Sequence, residues 1–312
     1  MTGAETVSMD AQRPETGARN SREEAPFTVE QKIEAETDRF LQLLRDPGLL
    51  VSRNPYQTDA FLNQKVRDYI RHNQPRPLDE KLNAALLKTG WGYELRSIRV
   101  LHRYPSIPKQ STEYLVLDFD EEGNLKDLNL SITSNLFEKF VQQAEYGQDW
   151  GNRQVIIKFL EKYRTAYMTR DIKTVDMMFA EDALIIIGRE IRRRQMPDNM
   201  VQYTKLNQQP DYEYIRLKKA DYLKRQMDVF STQQDIALDF GSFDIIRKNN
   251  VEHVYGVEMR QSYASTSYSD EGYLFLLIDF NEQDPLIYVR AWQPNSWSEE
   301  ELIRTANFRI YR

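Results

Sequence analysis

The stretch Val155 to Gly188, VIIKFLEKYRTAYMTRDIKTVDMMFAEDALIIIG, constrains this chain more than any other. Its first part reads as one long amphipathic helix. A polar break follows at Thr169-Arg170-Asp171, then a second short helix ending at Phe179, then the aliphatic strand Ala183–Ile187. Helix, break, helix and strand in that order begin an α+β domain, in which a helix lies across a curved sheet and a pocket forms between them.

The rest of the chain supplies two such plans. In the first half, helices are predicted over Val29–Arg45, Thr58–Arg71 and Leu78–Lys88. The first carries Ile33, Thr37, Phe40, Leu41 and Leu44 on one seam and stops at Asp46-Pro47-Gly48. Strands are expected over Tyr93–His102, Glu113–Phe119 and Leu125–Ile132, and a helix over Ser134–Tyr146. In the second half, the polar excursion Gly188–Tyr214 leads to a helix over Ile215–Phe230, with Ala220, Leu223, Met227 and Phe230 in register. Strands follow over Ile236–Arg247, Val254–Ala264, Gly272–Phe280, Leu286–Gln293 and Arg304–Tyr311. Consecutive strands with short turns imply antiparallel sheets. Glu113–Phe119 with its acidic turn echoes Gly272–Phe280 with its own turn, which suggests two related units in tandem. The expected division is a polar tail over 1–27, an N-terminal α+β domain over 28–148 and a C-terminal α+β domain over 149–312, with Gly147–Asn152 as the boundary.

Composition removes several function classes. The 312 residues include no Cys, so thiol nucleophiles, thiolate metal sites and disulfides are excluded together. The three histidines, His72, His102 and His253, are far apart, and no histidine-rich metal site is expected. A net charge of −6 argues against nucleic acid as partner, since displacing counterions needs a basic face. No apolar run is long enough for a transmembrane segment, and the polar start contains no signal-peptide core. No phosphate-binding, nucleophile-elbow or zinc-protease motif occurs, so no cofactor is expected. The segment Asp118-Phe119-Asp120-Glu121-Glu122-Gly123 imitates the start of a calcium loop. However, Asn129 stands where the bidentate Glu is needed, and an acidic hairpin turn is the reading adopted. The basic cluster Arg189, Arg192, Arg193 and Arg194 is interleaved with acids and reads as a solvated face.

Tyr163, Tyr167, Asp171, Phe179, Ala180-Glu181-Asp182-Ala183 and the hairpin Phe280–Asp284 resemble the nuclear-transport-factor-2-like (NTF2-like) superfamily. That cone-shaped fold is shared by ketosteroid isomerases and polyketide cyclases. The first half resembles it through Phe119-Asp120-Glu121-Glu122-Gly123. Taken whole, the chain is similar to two-domain proteins of Bacteroides-type bacteria. The phrases that carry this are Thr165-Ala166-Tyr167, Ala183–Gly188, Gly272–Leu276 and Val289–Pro294. The resemblance implies two NTF2-like domains, each with helices packed on a curved antiparallel sheet, and allows an exported location. It brings no activity with it.

The isomerase branch pairs a carboxylate base with an oxyanion hole made of a tyrosine and a protonated aspartic acid. Laid over that pattern, Tyr163 matches the tyrosine, but the base falls on Ile187 and the second acid on Leu276. Neither side chain moves a proton, so no catalytic residue is assigned. Four ligand-binding candidates remain. Tyr163 and Tyr167 are one turn apart on the helix, each read otherwise as core with its hydroxyl on a backbone partner. Arg290 and Trp292 share one face of strand Leu286–Gln293, and a guanidinium in an aromatic setting binds anions. The alternative for Arg290 is a cross-strand Glu. Large side chains on both faces of that strand imply a sheet covered on both sides, the second cover being a partner subunit or the neighbouring domain.

The expectation is a non-catalytic binding or scaffold protein, with a pocket or sheet face for a small hydrophobic or anionic ligand, a second copy of the chain or a protein partner. The alternative is an enzyme of the cyclase or hydrolase type using Tyr163 and polar groups of the 188–214 excursion. It requires Asp182, Glu258 or Asp279 to point inward.

Overall fold

The computed structural model describes residues 28–52, 56, 58–79, 84–107, 110–132, 147–191, 211–248, 251, 253–280, 284–295 and 301–308. The tail 1–27, the helix expected over 134–146 and Arg192–Arg194 lie outside these residues.

Helices α1 (Val29–Arg45), α2 (Leu49–Ser52) and α3 (Ala60–Asn73) precede the first sheet. Thr28 caps α1 reciprocally with Gln31, and Asp59 caps α3 by accepting from the Leu62 N–H. The sheet contains β1 (Arg76–Pro77), β2 (Ala85–Thr89), β3 (Gly92–Arg103), β4 (Gln110–Phe119) and β5 (Leu125–Leu130). Strands β3, β4 and β5 are antiparallel neighbours, and β1 and β2 share the free side of β3. The helix expected over Leu78–Lys88 is therefore corrected. Ala85–Thr89 turn back at Gly90-Trp91 and pair with Gly92–Arg96, so strand pairing overrides the helical preference of Ala-Leu-Leu-Lys.

Helix α4 (Gly147–Thr169) includes Gly147–Asn152, read from sequence as a break. After Arg170, in the left-handed region at φ 60°, α5 (Ile172–Met177) starts on an Asp171 cap. The second sheet contains β6 (Phe179–Ile191), β7 (Asp211–Lys218), β8 (Ile236–Arg247), β9 (Val254–Ser265), β10 (Ser269–Asp279) and β11 (Leu286–Pro294), in the order β7-β6-β11-β10-β9-β8. All neighbours are antiparallel except β6 and β11, which run parallel. Register shifts at Phe240/Phe243 and Leu277/Ile278 bend the sheet.

Three boundaries move. Phe179–Asp182 belong to β6, not to a helix end. Ile215–Lys218 belong to β7, Ile215 pairing with Ile187 and Leu217 with Ile185, so the helix starts later as α6 (Lys219–Thr232). Its buried positions are Lys219, Tyr222 and Phe230, while Met227 is exposed. The strand expected over Arg304–Tyr311 is a single helical turn, Thr305–Asn307, within its described part.

Helices lie on one face of the second sheet. On the opposite face Ile186, Val254, Phe275, Leu277, Val289 and Ala291 form a separate apolar layer, against which Ile303 and Phe308 pack. Phe308 stacks on Phe275 with ring centres 5.2 Å apart. A Cβ on Gly256 would lie 1.9 Å from Thr305 Oγ1, so the segment comes down onto bare backbone there. Part of the second cover is thus the chain's own 301–308 segment. The molecule is α+β, with helices packed on two sheets.

Candidate functional site

The helix-facing side of the second sheet holds the sequence-predicted residues. Tyr163 and Tyr167, one turn apart on α4, stack at 4.5 Å between ring centres, because residues i and i+4 share a helix face. Both are buried. Tyr163 takes a side-chain partner, not the backbone one expected: its hydroxyl accepts from Arg290 Nε at 3.0 Å. The Tyr167 hydroxyl meets that of Tyr222 on α6. The Arg290 guanidinium lies over the Tyr222 ring, 5.3 Å from its centre, in cation–π geometry.

Arg290 comes from the middle of β11, paired with Leu276 and Ile185, and is 8% exposed. Among the described residues it has neither the cross-strand Glu considered above nor any other salt bridge, and Tyr163 is its one hydrogen-bond partner. Burial pulls its pKa down, but the oxygens of Tyr163, Tyr222 and Tyr167 more than reverse this, so the charge is permanent. Burial also pushes the Tyr167 and Tyr222 hydroxyls well above the usual tyrosine range, keeping both protonated. Its Nη groups make no hydrogen bond among the described residues, yet they are not among the fully buried unpartnered atoms, so this end of the guanidinium keeps some contact with solvent.

Two residues along β11, Trp292 is 9% exposed and its indole Nε1 makes no hydrogen bond. The indole edge packs against Gly272 on β10: a Cβ there would stand 2.3 Å from the Gln293 carbonyl oxygen, 3.0 Å from Trp292 Cζ2 and 3.1 Å from its Cε2, so only glycine fits. Asp270, two residues from Gly272, shares its face, and its cross-strand partner Tyr263 packs against the helix-side core. Asp270 Oδ2 accepts from the Tyr268 hydroxyl at 2.7 Å, whereas Oδ1 is buried without a partner. Burial raises its pKa, and the Tyr268 hydrogen bond and the Arg290 charge pull it partly back. The Tyr263 hydroxyl faces Ser265 but makes no hydrogen bond of normal geometry, and the buried Arg170 Nε, past the end of α4, has none either.

Thus Tyr163 touches both Tyr167 and Arg290, and Trp292 shares their face without touching Arg290 through a hydrogen bond. Sequence reasoning missed Tyr222, Tyr263, Arg170 and Asp270. Alternation along β10 from Leu276 through Leu274 and Gly272 was enough to find Asp270. Tyr222 was lost because the helix was begun four residues early.

Leu276 is buried in the helix-side core, and Ile187 packs against that core. The lining as a whole is not aliphatic, since Arg290, the tyrosines and Asp270 face the same way. The three acids required by the enzyme alternative do not. Glu258 pairs with Phe275 on the far face and accepts from Thr305 N and Oγ1, both at 2.9 Å. Asp279 alternates onto that face, and Asp182 is exposed. Arg189 pairs with Glu213 in solvent at 2.7 Å. In the acidic turn, Gly123 takes φ 78° and Asp120 Oδ1 accepts from the backbone of Glu122 and Asn124, as a hairpin turn requires.

No protein-family model matches the chain, and no curated protein sequence matches it significantly. Solved structures similar to part of it include an NTF2-like protein from Cytophaga hutchinsonii, at 11% identity over 46% of this chain and 97% of that one, with TM-score 0.33. Bd1075 of Bdellovibrio bacteriovorus is similar at 13% identity over 69% and 83%, with TM-score 0.35. A protein with a cystatin-like fold from Nostoc punctiforme is similar at 7% identity over 48% and 93%, with TM-score 0.33. Among the described residues no helix is long and apolar enough to cross a membrane.

Proposed function

We propose that the chain is a non-catalytic binding protein of two NTF2-like units, and that the second unit takes a small anion with an apolar body against Arg290. The observation that carries this reading is the guanidinium itself, enclosed by tyrosines and paired with no carboxylate among the described residues. A carboxylate accepting from the unused Nη donors completes the charge in a fork geometry. Tyr167, Tyr222, Phe230 and Trp292 offer an aromatic surface to the rest of the ligand. Titration calorimetry with phenylacetate and hexanoate tests it. Binding by the native chain is expected, weakened about 10- to 100-fold in Arg290→Met, the range for loss of one or two charge-assisted hydrogen bonds. Absence of binding by both acids counts against the proposal.

Asp270 favours a second reading, an enzyme in which that half-buried carboxylate serves as general acid or base. Turnover of a carbonyl substrate, abolished in Asp270→Asn, would replace the first reading with this one.

A further inference from the structure

The far face of the second sheet grips the segment 301–308 through side chains placed for a peptide backbone. Gln293 on β11 is almost wholly buried and uses both ends of its amide. Its Oε1 accepts from the Ile303 N–H at 2.6 Å, and its Nε2 donates to the Glu301 carbonyl at 2.9 Å. One amide thus serves an N–H and a C=O two residues apart, as the edge of a neighbouring strand would. Thr305 is bound at every polar group. Its N–H and hydroxyl donate to Glu258 Oε1, both at 2.9 Å, and its carbonyl accepts from Lys248 Nζ at 2.9 Å. Its side chain fills the space that a Cβ on Gly256 would take. Three residues on, Phe308 stacks on Phe275, and Ile303 packs on the same apolar layer. Main-chain bonds of this kind supply affinity, and the side-chain seats supply sequence preference.

Among the described residues, Ile303–Phe308 form no backbone-to-backbone hydrogen bond with a strand. Their own two, Asn307 to Arg304 and Phe308 to Thr305, close a single turn. Only Thr305 of the eight residues is buried. A segment paired into a ladder opens with its sheet, whereas one held by side chains opens at lower free energy. Its release uncovers Val254, Phe275, Leu277 and Val289 and strips Gln293 Oε1 and Glu258 of these bonds, a state that a matching peptide stabilises by refilling it. We propose that this face is a peptide-docking face and that Glu301–Phe308 is its resident ligand. The occupant that displaces it is an extended segment of another protein, with an apolar residue, a Thr or Ser two positions later and an aromatic three beyond that. A second copy's identical segment has no advantage over the tethered one, which competes at an effective concentration on the order of millimolar. The face is opposite to that of Arg290, and the proposal is independent of the anion-binding reading.

Fluorescence anisotropy of a labelled synthetic peptide with the sequence Glu301–Phe308 tests this on the full chain. The native chain is compared with Ile303→Ala/Phe308→Ala, whose own segment is weakened. The variant is expected to bind the peptide at least about tenfold more tightly than the native chain, where the tethered segment competes. Adding Glu258→Gln to the variant, or Thr305→Val to the peptide, should each weaken binding about tenfold. Far-UV circular dichroism checks folding, and Phe308→Ala alone replaces the double variant if that fails to fold. Hydrogen exchange examines the native chain directly. The Ile303 and Thr305 amides, although hydrogen-bonded, are expected to exchange about a hundredfold or more faster than the Leu276 amide. Equal exchange rates overturn the displaceable segment. Binding no tighter than that of a scrambled peptide overturns the docking face, and dimerisation of the variant without peptide binding gives that face to a second copy instead.

Discussion

At the scale of single residues, burial decides the behaviour of several groups whose sequence context is bland. Tyr163 differs from an ordinary core tyrosine because strand β11 brings Arg290 within 3.0 Å of its hydroxyl. His102, without functional sign in the sequence, is fully buried between the hydroxyls of Tyr69 and Tyr104, at 2.8 and 3.1 Å from its ring nitrogens. Burial, with a smaller contribution from the Arg164 charge, lowers its pKa to about 3. The unfolded chain therefore binds a proton at this residue that the native chain refuses. Its contribution to stability is full above the unfolded value near 6.5 and is lost as pH falls toward 3. Asp118 acts oppositely: burial raises its pKa to about 6, so the native state takes up a proton first and gains stability as pH falls from 6 toward 3.8. The His102 window is the wider. Between pH 7 and pH 5 the native chain is expected to lose about 2 kcal/mol through His102, and His102→Gln to lose correspondingly less. Urea melts at the two pH values measure this, and parallel pH profiles for the two proteins would refute it.

At the scale of elements, α4 has two working faces. Ile156, Leu160, Tyr163 and Tyr167 turn to the second sheet's core, while Lys158, Glu161 and Arg164 turn to the first sheet. Lys158 reaches Glu94 at 2.7 Å and Asp118 at 2.9 Å, and Arg164 reaches Glu113 at 2.7 Å and the Leu238 carbonyl at 2.8 Å. Glu161 is buried, bound to Arg96 and accepting from the Ile132 N–H at 3.0 Å. Removing one member of a buried pair leaves the other uncompensated. Glu161→Ala is therefore expected to destabilise the protein by about 3–5 kcal/mol, whereas a surface pair such as Arg189–Glu213 is worth under about 1 kcal/mol. Equilibrium denaturation of Glu161→Ala and Arg189→Ala compares them directly. A loss below about 1 kcal/mol for Glu161→Ala would mean that this face of α4 is solvated.

At the scale of the molecule, the two sheets share one continuous helix-side core that runs from Ile33 to Trp292. Ser106 ties the first half to Asp235 of the second through its N–H and hydroxyl, both at 2.6 Å. With α4 serving both sheets, unfolding either one strips partners from the other. Calorimetry is expected to give a single transition with equal calorimetric and van't Hoff enthalpies. Two resolved transitions would show that the halves melt independently.

The chain's own residues determined its elements wherever periodicity and punctuation agree: α1 with its Pro47-Gly48 stop, the long central helix, and the strands from Ile236 to Pro294. They also determined that Ile187 and Leu276 cannot move protons. Tertiary structure decided the rest, because those outcomes depend on contacts between residues far apart in sequence. Ala85–Thr89 became a strand by pairing with β3, and Ile215–Lys218 by pairing with β6. The charged stripe of α4 was buried by a sheet that precedes it. Arg290, Trp292 and Asp270 acquired their roles from the close approach of β10 and β11 at Gly272, and from the tyrosines that α4 and α6 lay over them.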